Sequence, residues 1–162
     1  MFRVGFGYDA HRLVEGRSLI LGGVKIPHHL GLAGHSDADV LIHAMMDAIL
    51  GALAKGDIGQ HFPNTEPAYK DMDSMVLLER VMKWVHSDGY RINQLDTTIV
   101  AEKPGLSPFV EAMKQRLSKT LAIRMDQISI KATTTEEMGF CGRQEGIAAY
   151  AIVSLVAESV SS

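Results

Sequence analysis

The chain has 162 residues, of which 46% are hydrophobic and 22% are charged, a composition typical of one globular domain spanning residues 1–162 and unlike that of disordered or disulfide-rich proteins. Its net charge of −3 offers no basic surplus for nucleic acid, and no apolar run reaches the roughly 18 residues that cross a bilayer. A single cysteine, Cys141, cannot form an internal disulfide and the first residues lack a signal-peptide pattern, so we expect a cytoplasmic protein without nucleic-acid or membrane partners.

The first part of the chain combines strand and helix patterns. Residues 2–8 predict a strand, and the aliphatic runs at 19–21 and 24–26 predict a hairpin around two glycines. Ser36 is a suitable N-cap for a helix, and apolar residues recur at helical spacing from there to the basic turn and glycine at 55–56. This helix is the clearest element in the sequence.

The rest of the chain alternates irregularly between the two kinds of element. The predicted elements are a loop at 57–72, a helix at 74–86, a strand at 95–101, a helix at 107–121, a strand at 128–132 and a long strand at 146–157. The last segment is so apolar that a buried helix is the alternative. This order predicts an α+β fold in which one mixed β-sheet is covered by helices on one face.

Two segments carry residues that bind metals. Asp9 and His11 are two apart on the first strand and therefore point to the same side. His43 lies between Asp39 and Asp47 along one side of the apolar helix, where the alternative is a solvated face with one hydrogen-bonded histidine. Together Asp9, His11 and His43 could form the three-ligand site of a catalytic zinc with an open fourth position.

A third segment carries residues that suit phosphate. Three consecutive threonines, Thr133 to Thr135, follow a predicted strand and are followed by Glu136. Their hydroxyls could bind phosphate oxygens, and Glu136 is an oxygen ligand of the kind that Mg²⁺ uses when it bridges phosphates. An edge strand rich in β-branched residues is the alternative. Because no Walker-type loop is present, the residues favour metal-assisted phosphoryl chemistry other than ordinary nucleotide hydrolysis.

Four motifs make the sequence similar to a known family. The motifs are GFGYDAH at 5–11, GLAGHSDADVLIHA at 31–44, GDIGQHFP at 56–63 and KATTTEEMGFCGRQEGIA at 131–148. They resemble the 2-C-methyl-D-erythritol 2,4-cyclodiphosphate synthase family of the non-mevalonate isoprenoid pathway. The resemblance implies an α+β subunit that assembles as a homotrimer with active sites between subunits. It also implies cyclisation of 4-diphosphocytidyl-2-C-methyl-D-erythritol 2-phosphate with release of CMP.

The resemblance assigns roles to individual residues. It implies that Asp9, His11 and His43 bind Zn²⁺, that His35 and Thr134 stabilise the transition state, and that Glu136 binds Mg²⁺ or Mn²⁺. The substrate-binding positions that it implies are Asp9, Ala10, His11, His35, Ser36, Asp57, Ile58, Gly59, Phe62, Pro63, Asn64, Thr65, Glu66, Ala101, Glu102, Lys103, Pro104, Gly105, Leu106, Ser107, Thr133, Thr134, Thr135, Glu136, Phe140 and Arg143. Arg143 and Glu145 are further expected to line a central channel that could hold an isoprenoid diphosphate.

Two other functions fit many of the same residues. A zinc-dependent phosphohydrolase would use the same ligands with water as the nucleophile. A non-catalytic trimer that binds an isoprenoid diphosphate would keep the fold without releasing CMP. An open metal position argues against mere binding, because a structural zinc site normally has four protein ligands.

Overall fold

The computed structural model describes residues 1–158, and its strands and helices have the following bounds. The strands are β1 (Phe2–Val14), β2 (Leu19–Leu21), β3 (Val24–Ile26), β4 (Gly31–Leu32), β5 (Tyr90–Val100), β6 (Ile128–Thr133) and β7 (Gly146–Ala157). The helices are α1 (Val40–Ala52), α2 (Ile58–His61), α3 (Ser74–Ser87), α4 (Val110–Leu121) and α5 (Gly139–Gly142), with short 3₁₀ turns at Pro67–Tyr69, Ser107–Phe109 and Met125–Gln127.

Five strands form one mixed sheet in the order β4-β1-β7-β5-β6. The β5–β6 pair is parallel and the other pairs are antiparallel. Helix α4 supplies the crossover that a parallel pair requires. Helix α3 packs against both α1 and α4, and all three helices pack against the sheet, so the predicted α+β fold is confirmed. The long strand at 146–157 is confirmed as well, since β7 pairs with both β1 and β5.

Helix α1 is the centre of the core. Eleven of its residues are buried, including His43, so it is enclosed on nearly all sides instead of presenting a single apolar stripe. It packs on β1 and β7, with α3 beside it. None of the helices in residues 1–158 combines the length and hydrophobicity that spanning a membrane would need.

Strand β1 presents very different residues on its two faces. Gly5 and Gly7 point toward α1 and are buried, whereas Phe6 and Tyr8 point away and are exposed. A Cβ atom on Gly5 would lie 1.8 Å from the carbonyl oxygen of Ala48. A Cβ atom on Gly7 would lie 1.9 Å from the carbonyl oxygen of Ala44. The two backbones are therefore in direct contact, and only glycine fits between them.

The boundaries of α1 differ from the prediction. Asp39 is the N-cap, because its extended backbone precedes the helix and its carboxylate accepts a hydrogen bond from the Ile42 N–H. The prediction that Ser36 caps the helix is wrong, since its hydroxyl accepts from the Ala38 N–H and faces His43. The helix ends at Ala52, before the predicted basic turn, because Ala54 adopts a left-handed φ of 58°.

The contact between β1 and α1 generates the first prediction. Gly7→Ala should lower the free energy of unfolding by about 3 kcal/mol, because the new methyl group meets a helix carbonyl that cannot move aside. Urea denaturation at matched protein concentration measures the change. Gly51→Ala is the matched control on α1, since its Cβ would come no closer than 3.9 Å to the Phe6 carbonyl oxygen. Equal unfolding midpoints for the two variants would contradict the close contact.

Candidate functional site

Asp9, His11 and His43 meet where β1 passes the start of α1. Asp9 Oδ2 lies 2.8 Å from His11 Nε2 and 3.1 Å from His43 Nδ1, and the two ring nitrogens are 3.0 Å apart. Asp9 and His11 follow Gly5 and Gly7 on the inward face of β1, which explains why both side chains point at α1. The three predicted ligands are therefore brought together as one triangle of donor atoms.

The triangle fits a tetrahedral divalent ion. Two imidazole nitrogens and one carboxylate oxygen are donors that Zn²⁺ accepts, with bonds of about 2.0–2.2 Å. Donor atoms around such an ion are about 3.3 Å apart, slightly more than in the triangle, so a small outward movement of the side chains would make room. Three protein donors leave a fourth position, as in catalytic rather than structural sites. The cluster can thus hold a catalytic metal.

The outer ring nitrogens of both histidines have partners. His11 Nδ1 lies 2.9 Å from the Ala33 carbonyl oxygen, and a carbonyl can only accept, so Nδ1 carries a proton. When the His11 ring is neutral, its Nε2 lone pair therefore faces the cluster. His43 Nε2 lies 3.1 Å from the hydroxyl of Ser36 and 3.0 Å from that of Ser74. Both rings are therefore held with one nitrogen toward the cluster.

Interactions within the cluster shift the pKa values of Asp9 and His11 in opposite directions. Burial by itself would raise the pKa of Asp9, but hydrogen bonds from His11 and His43 outweigh it and lower that pKa to about 2. Burial opposes a positive charge on His11, yet the hydrogen bond and attraction from Asp9 raise its pKa above the ordinary value. The carboxylate is thus ionised at neutral pH, and a proton on His11 competes with metal.

A cavity of about 310 Å³ opens beside the cluster. Its lining residues are Asp9, His11, Gly34, His35, Ser36, His43, Ile58, Gly59, Phe62, Asn64, Tyr69 and Leu77. The structure therefore places six of the expected substrate-binding residues outside the metal triangle (His35, Ser36, Ile58, Gly59, Phe62 and Asn64) around one space. Asp57, Pro63, Thr65 and Glu66 belong to the same loop. Ala10 differs, because it lies on the other face of β1, beside a second cavity that Phe140 also lines.

Hydrogen bonds and an aromatic contact hold the segment 57–72 against the rest of the chain. The Asp47 carboxylate accepts a hydrogen bond of 2.8 Å from the Ile58 N–H, and Phe62 stacks on Trp84 with ring centres 5.9 Å apart. His35 Nε2 lies 2.9 Å from the Glu66 carbonyl oxygen. Asp47 is therefore used to hold the loop, and neither it nor the fully buried Asp39 belongs to a solvated helix face.

The threonine segment forms a separate cleft. This cleft of about 180 Å³ is lined by Ala101, Glu102, Pro104, Gly105, Leu106, Ser107, Ala132, Thr133 and Thr134. Glu136 and Glu137 follow with left-handed φ values of 52° and 63°, and the Glu136 N–H donates to the Thr134 hydroxyl at 3.2 Å. Strained backbone at non-glycine residues is concentrated at functional sites. Thr133, Thr134 and Glu136 are all exposed.

The two spaces do not join within one chain. No residue lines both the metal cavity and the threonine cleft, so Thr134 and Glu136 lie away from His35 and the metal cluster in the part of the chain that the structure describes. Arg143 lies elsewhere, in an exposed ion pair of 3.1 Å with Glu145. The metal cavity and the threonine cleft are therefore separate spaces within one chain.

Sequence reasoning missed several residues that the structure places at the metal site. Tyr69 and Leu77 line the metal cavity, and Ser74 contacts His43, one of the three candidate metal ligands. Asp37 in turn contacts Ser74 across 37 positions of sequence. No spacing rule connects such distant positions, so only the folded chain reveals these contacts.

Comparisons with known proteins agree with this geometry. A model of the YgbB family matches residues 2–156. A Bacillus cereus protein named 2-C-methyl-D-erythritol 2,4-cyclodiphosphate synthase is 57% identical over 155 residues, covering 96% of this chain and 98% of the relative. A Bacillus mycoides protein of the same name is 56% identical over the same shares of both chains.

Solved structures are similar over nearly all of the chain. The bifunctional IspDF of Campylobacter jejuni superposes with a TM-score of 0.93 and 41% identity over 97% of this chain, which spans only 42% of that longer protein. A Plasmodium falciparum IspF described as a CDP complex gives a TM-score of 0.86 and 32% identity, with 98% of this chain and 97% of that chain covered.

Metal binding to the cluster should release protons in a pH-dependent way. Below the raised pKa of His11, an entering ion must displace a proton from that ring, whereas above it the ring is already neutral. We expect at least one proton per Zn²⁺ at about pH 6 and fewer at about pH 8.5. Calorimetric titration in buffers of different ionisation enthalpy counts the protons. The same count at both pH values would contradict competition at His11.

Proposed function

The chain belongs to the YgbB family, and from this premise we propose that it converts 4-diphosphocytidyl-2-C-methyl-D-erythritol 2-phosphate to 2-C-methyl-D-erythritol 2,4-cyclodiphosphate with release of CMP. The observation that carries the proposal is the triangle of Asp9, His11 and His43 beside a cavity. Relatives that are 56–57% identical to this chain over 98% of their own length are named for this reaction. Phosphoryl transfer of this kind needs the charge stabilisation that such a site supplies.

The metal half-site would bind the diphosphate and the methylerythritol unit. We expect Zn²⁺ at Asp9, His11 and His43, where it would supply Lewis-acid stabilisation of phosphate charge. His35 and Ser36 lie on the same cavity, close enough to bind phosphate oxygens. The backbone N–H groups and side chains of residues 57–59 and 62–66 would bind the sugar alcohol and its 2-phosphate.

The substrate carries its own nucleophile. An oxygen of the 2-phosphate attacks the β-phosphorus, a new P–O bond forms, and the bond to the α-phosphate oxygen breaks so that CMP leaves with the electron pair. The nucleophile is already anionic, so no general base is required. The protein has to fold a flexible molecule back on itself and hold the reacting oxygen in line, which removes much of the entropic barrier.

The threonine cleft would bind the leaving nucleotide. Residues 101–107 and 133–136 surround a space that we assign to cytidine and its phosphates. Thr134 would donate to the transferring group as its charge develops, and Glu136 would hold Mg²⁺ or Mn²⁺, which would neutralise phosphate charge. Phe140 and Arg143 are assigned to the remaining substrate contacts.

A homotrimer would join the two half-sites. The sheet face opposite α1 exposes a patch of apolar side chains, of which Phe2, Phe6 and Ile152 are 69%, 60% and 49% exposed. Tyr8 and Tyr150 contact each other on the same face, with ring centres 5.0 Å apart. Contiguous exposed apolar surface is typical of protein–protein interfaces. In a cyclic trimer each chain would bring its threonine cleft to the metal cavity of the next chain around the ring.

The proposed function also suggests a role for the Arg143–Glu145 pair and a cellular location for the protein. Arg143 and Glu145 form an exposed ion pair that we place at the central channel, where the arginine could bind an isoprenoid diphosphate. The unpaired, buried Cys141 supports a reducing compartment, and hence the cytoplasm, as the site of action.

Product analysis tests the proposed reaction. The chain, loaded with Zn²⁺ and supplied with Mg²⁺, should convert the diphosphocytidyl substrate to equal amounts of CMP and cyclic diphosphate. Mass spectrometry in ¹⁸O-labelled water should find no label in either product, because the nucleophile comes from the substrate. His43→Ala is the control for metal dependence and should release no CMP.

Each alternative function gives a different result in the same experiment. Incorporation of ¹⁸O into a linear phosphate product would identify a zinc-dependent phosphohydrolase. Binding of an isoprenoid diphosphate without any CMP release would identify a non-catalytic trimer. Either result would overturn the proposed function.

A further inference from the structure

Ser74 lies between His43, one of the three candidate metal ligands, and the carboxylate of Asp37. It is the first residue of α3 and is fully buried. Its hydroxyl oxygen lies 3.0 Å from Nε2 of His43, and the same hydroxyl donates to Oδ1 of Asp37. The other oxygen of Asp37 accepts from the Ser74 N–H at 3.0 Å. The Asp37 carboxylate therefore accepts hydrogen bonds from both the hydroxyl and the backbone N–H of Ser74.

The directions of these hydrogen bonds follow from the groups themselves. A carboxylate can only accept, so the single hydrogen of the Ser74 hydroxyl is used on Asp37. Toward His43 the hydroxyl therefore presents a lone pair and accepts the proton of Nε2. When the ring is neutral and its one proton is on Nε2, Nδ1 of His43 has its lone pair toward Asp9 and His11, which is the form of the ring that binds a metal.

Ser36 cannot fix the ring in the same way. Its hydroxyl lies 3.1 Å from His43 Nε2 and accepts from the Ala38 N–H at 3.2 Å. Among residues 1–158 it bonds to no carboxylate, so its hydrogen is free to rotate toward the ring or toward the cavity that it lines. The Ser36 hydroxyl can therefore form a hydrogen bond with Nε2 whether or not that nitrogen is protonated. The Ser74 hydroxyl can do so only when Nε2 is protonated.

The position of Asp37 is itself fixed. Its backbone N–H donates to the Met72 carbonyl at 3.1 Å, and its Oδ1 accepts from the Asp39 N–H at 3.1 Å. The bond to Met72 connects the segment before α1 with the segment before α3, and both segments contribute residues to the lining of the metal cavity. The orientation of the His43 ring thus depends on contacts between two separate parts of the chain.

We propose that Ser74, held by Asp37, is a positioning residue that fixes the His43 ring for metal binding. The proposal rests on the metal site of the proposed function. Neither residue would touch the substrate or the ion. Hydrogen-bond partners of metal-ligating histidines of this kind change metal affinity by about 10–100-fold when they are removed.

The test compares Ser74→Ala with Asp73→Ala. Asp73 is the N-cap of α3, where its carboxylate accepts from the Met75 N–H at 2.8 Å, so its loss weakens the same helix end without changing the contact to His43. Competition with a chelator measures the Zn²⁺ affinity of each purified chain. Ser74→Ala should bind Zn²⁺ about 10–100-fold more weakly than the unaltered chain. Asp73→Ala should bind it within about twofold.

Two further measurements separate positioning from loss of structure. Nuclear magnetic resonance of the Zn²⁺-loaded chain should show the Nε2 proton of His43 protected from exchange with water. That protection should persist in Asp73→Ala and disappear in Ser74→Ala. Asp37→Ala, which releases the Ser74 hydroxyl, should also weaken Zn²⁺ binding, and the double variant should be no weaker than Ser74→Ala because the two residues act through one contact.

Different results would reject the metal site and the positioning role of Ser74. An unaltered chain that binds no Zn²⁺ would reject the metal site and the positioning role together. Normal binding by the unaltered chain with equal affinities for Ser74→Ala and Asp73→Ala would reject the positioning role alone. If Ser74→Ala fails to fold, Asp37→Ala with its own affinity and exchange measurements decides, and unchanged values there would overturn the proposal.

Discussion

At Gly5 and Gly7 the backbone of β1 touches the carbonyl groups of α1, and no side chain fits between them. The next two inward positions on β1 are Asp9 and His11, and His43 directly precedes Ala44, whose carbonyl group meets Gly7. The metal cluster is therefore a continuation of the β1–α1 interface. Where the backbones touch, only glycine fits. Beyond Gly7 the side chains of Asp9 and His11 fit beside α1, and their donor atoms lie 3.0–3.1 Å from Nδ1 of His43.

The start of α1 is held as firmly as its middle. The Asp39 carboxylate accepts from the N–H groups of Gly22, Gly23 and Ile42, so one buried residue joins the β2–β3 turn to the helix. Burial raises its pKa to about 6, which leaves it mostly ionised at neutral pH. Asp37, two residues earlier, holds Ser74. Together these carboxylates fix the helix that carries His43 without belonging to the group of candidate metal ligands.

Much of this arrangement could be predicted from the sequence, because its signals are local. The two-residue spacing of Asp9 and His11 and the apolar pattern around His43 correctly placed all three on facing elements. The choice of Asp39 over Ser36 as the N-cap could not be predicted, because it depends on bonds to Gly22 and Gly23 in a distant turn. The role of Ser74 could not be predicted either, because its contacts are with His43 and Asp37, which are distant in the sequence. β7 could be distinguished from a buried helix only through its pairing with β1 and β5.

The proposed active site combines the metal cavity of one chain with the threonine cleft of another. His43→Ala and Glu136→Ala should each be inactive, and refolding the two variants together at equal amounts should restore about a quarter of the unaltered activity. A site then works when an intact metal half meets an intact nucleotide half, which random mixing produces at about one interface in four. Persistent inactivity in mixed trimers confirmed by native mass spectrometry would contradict the shared site.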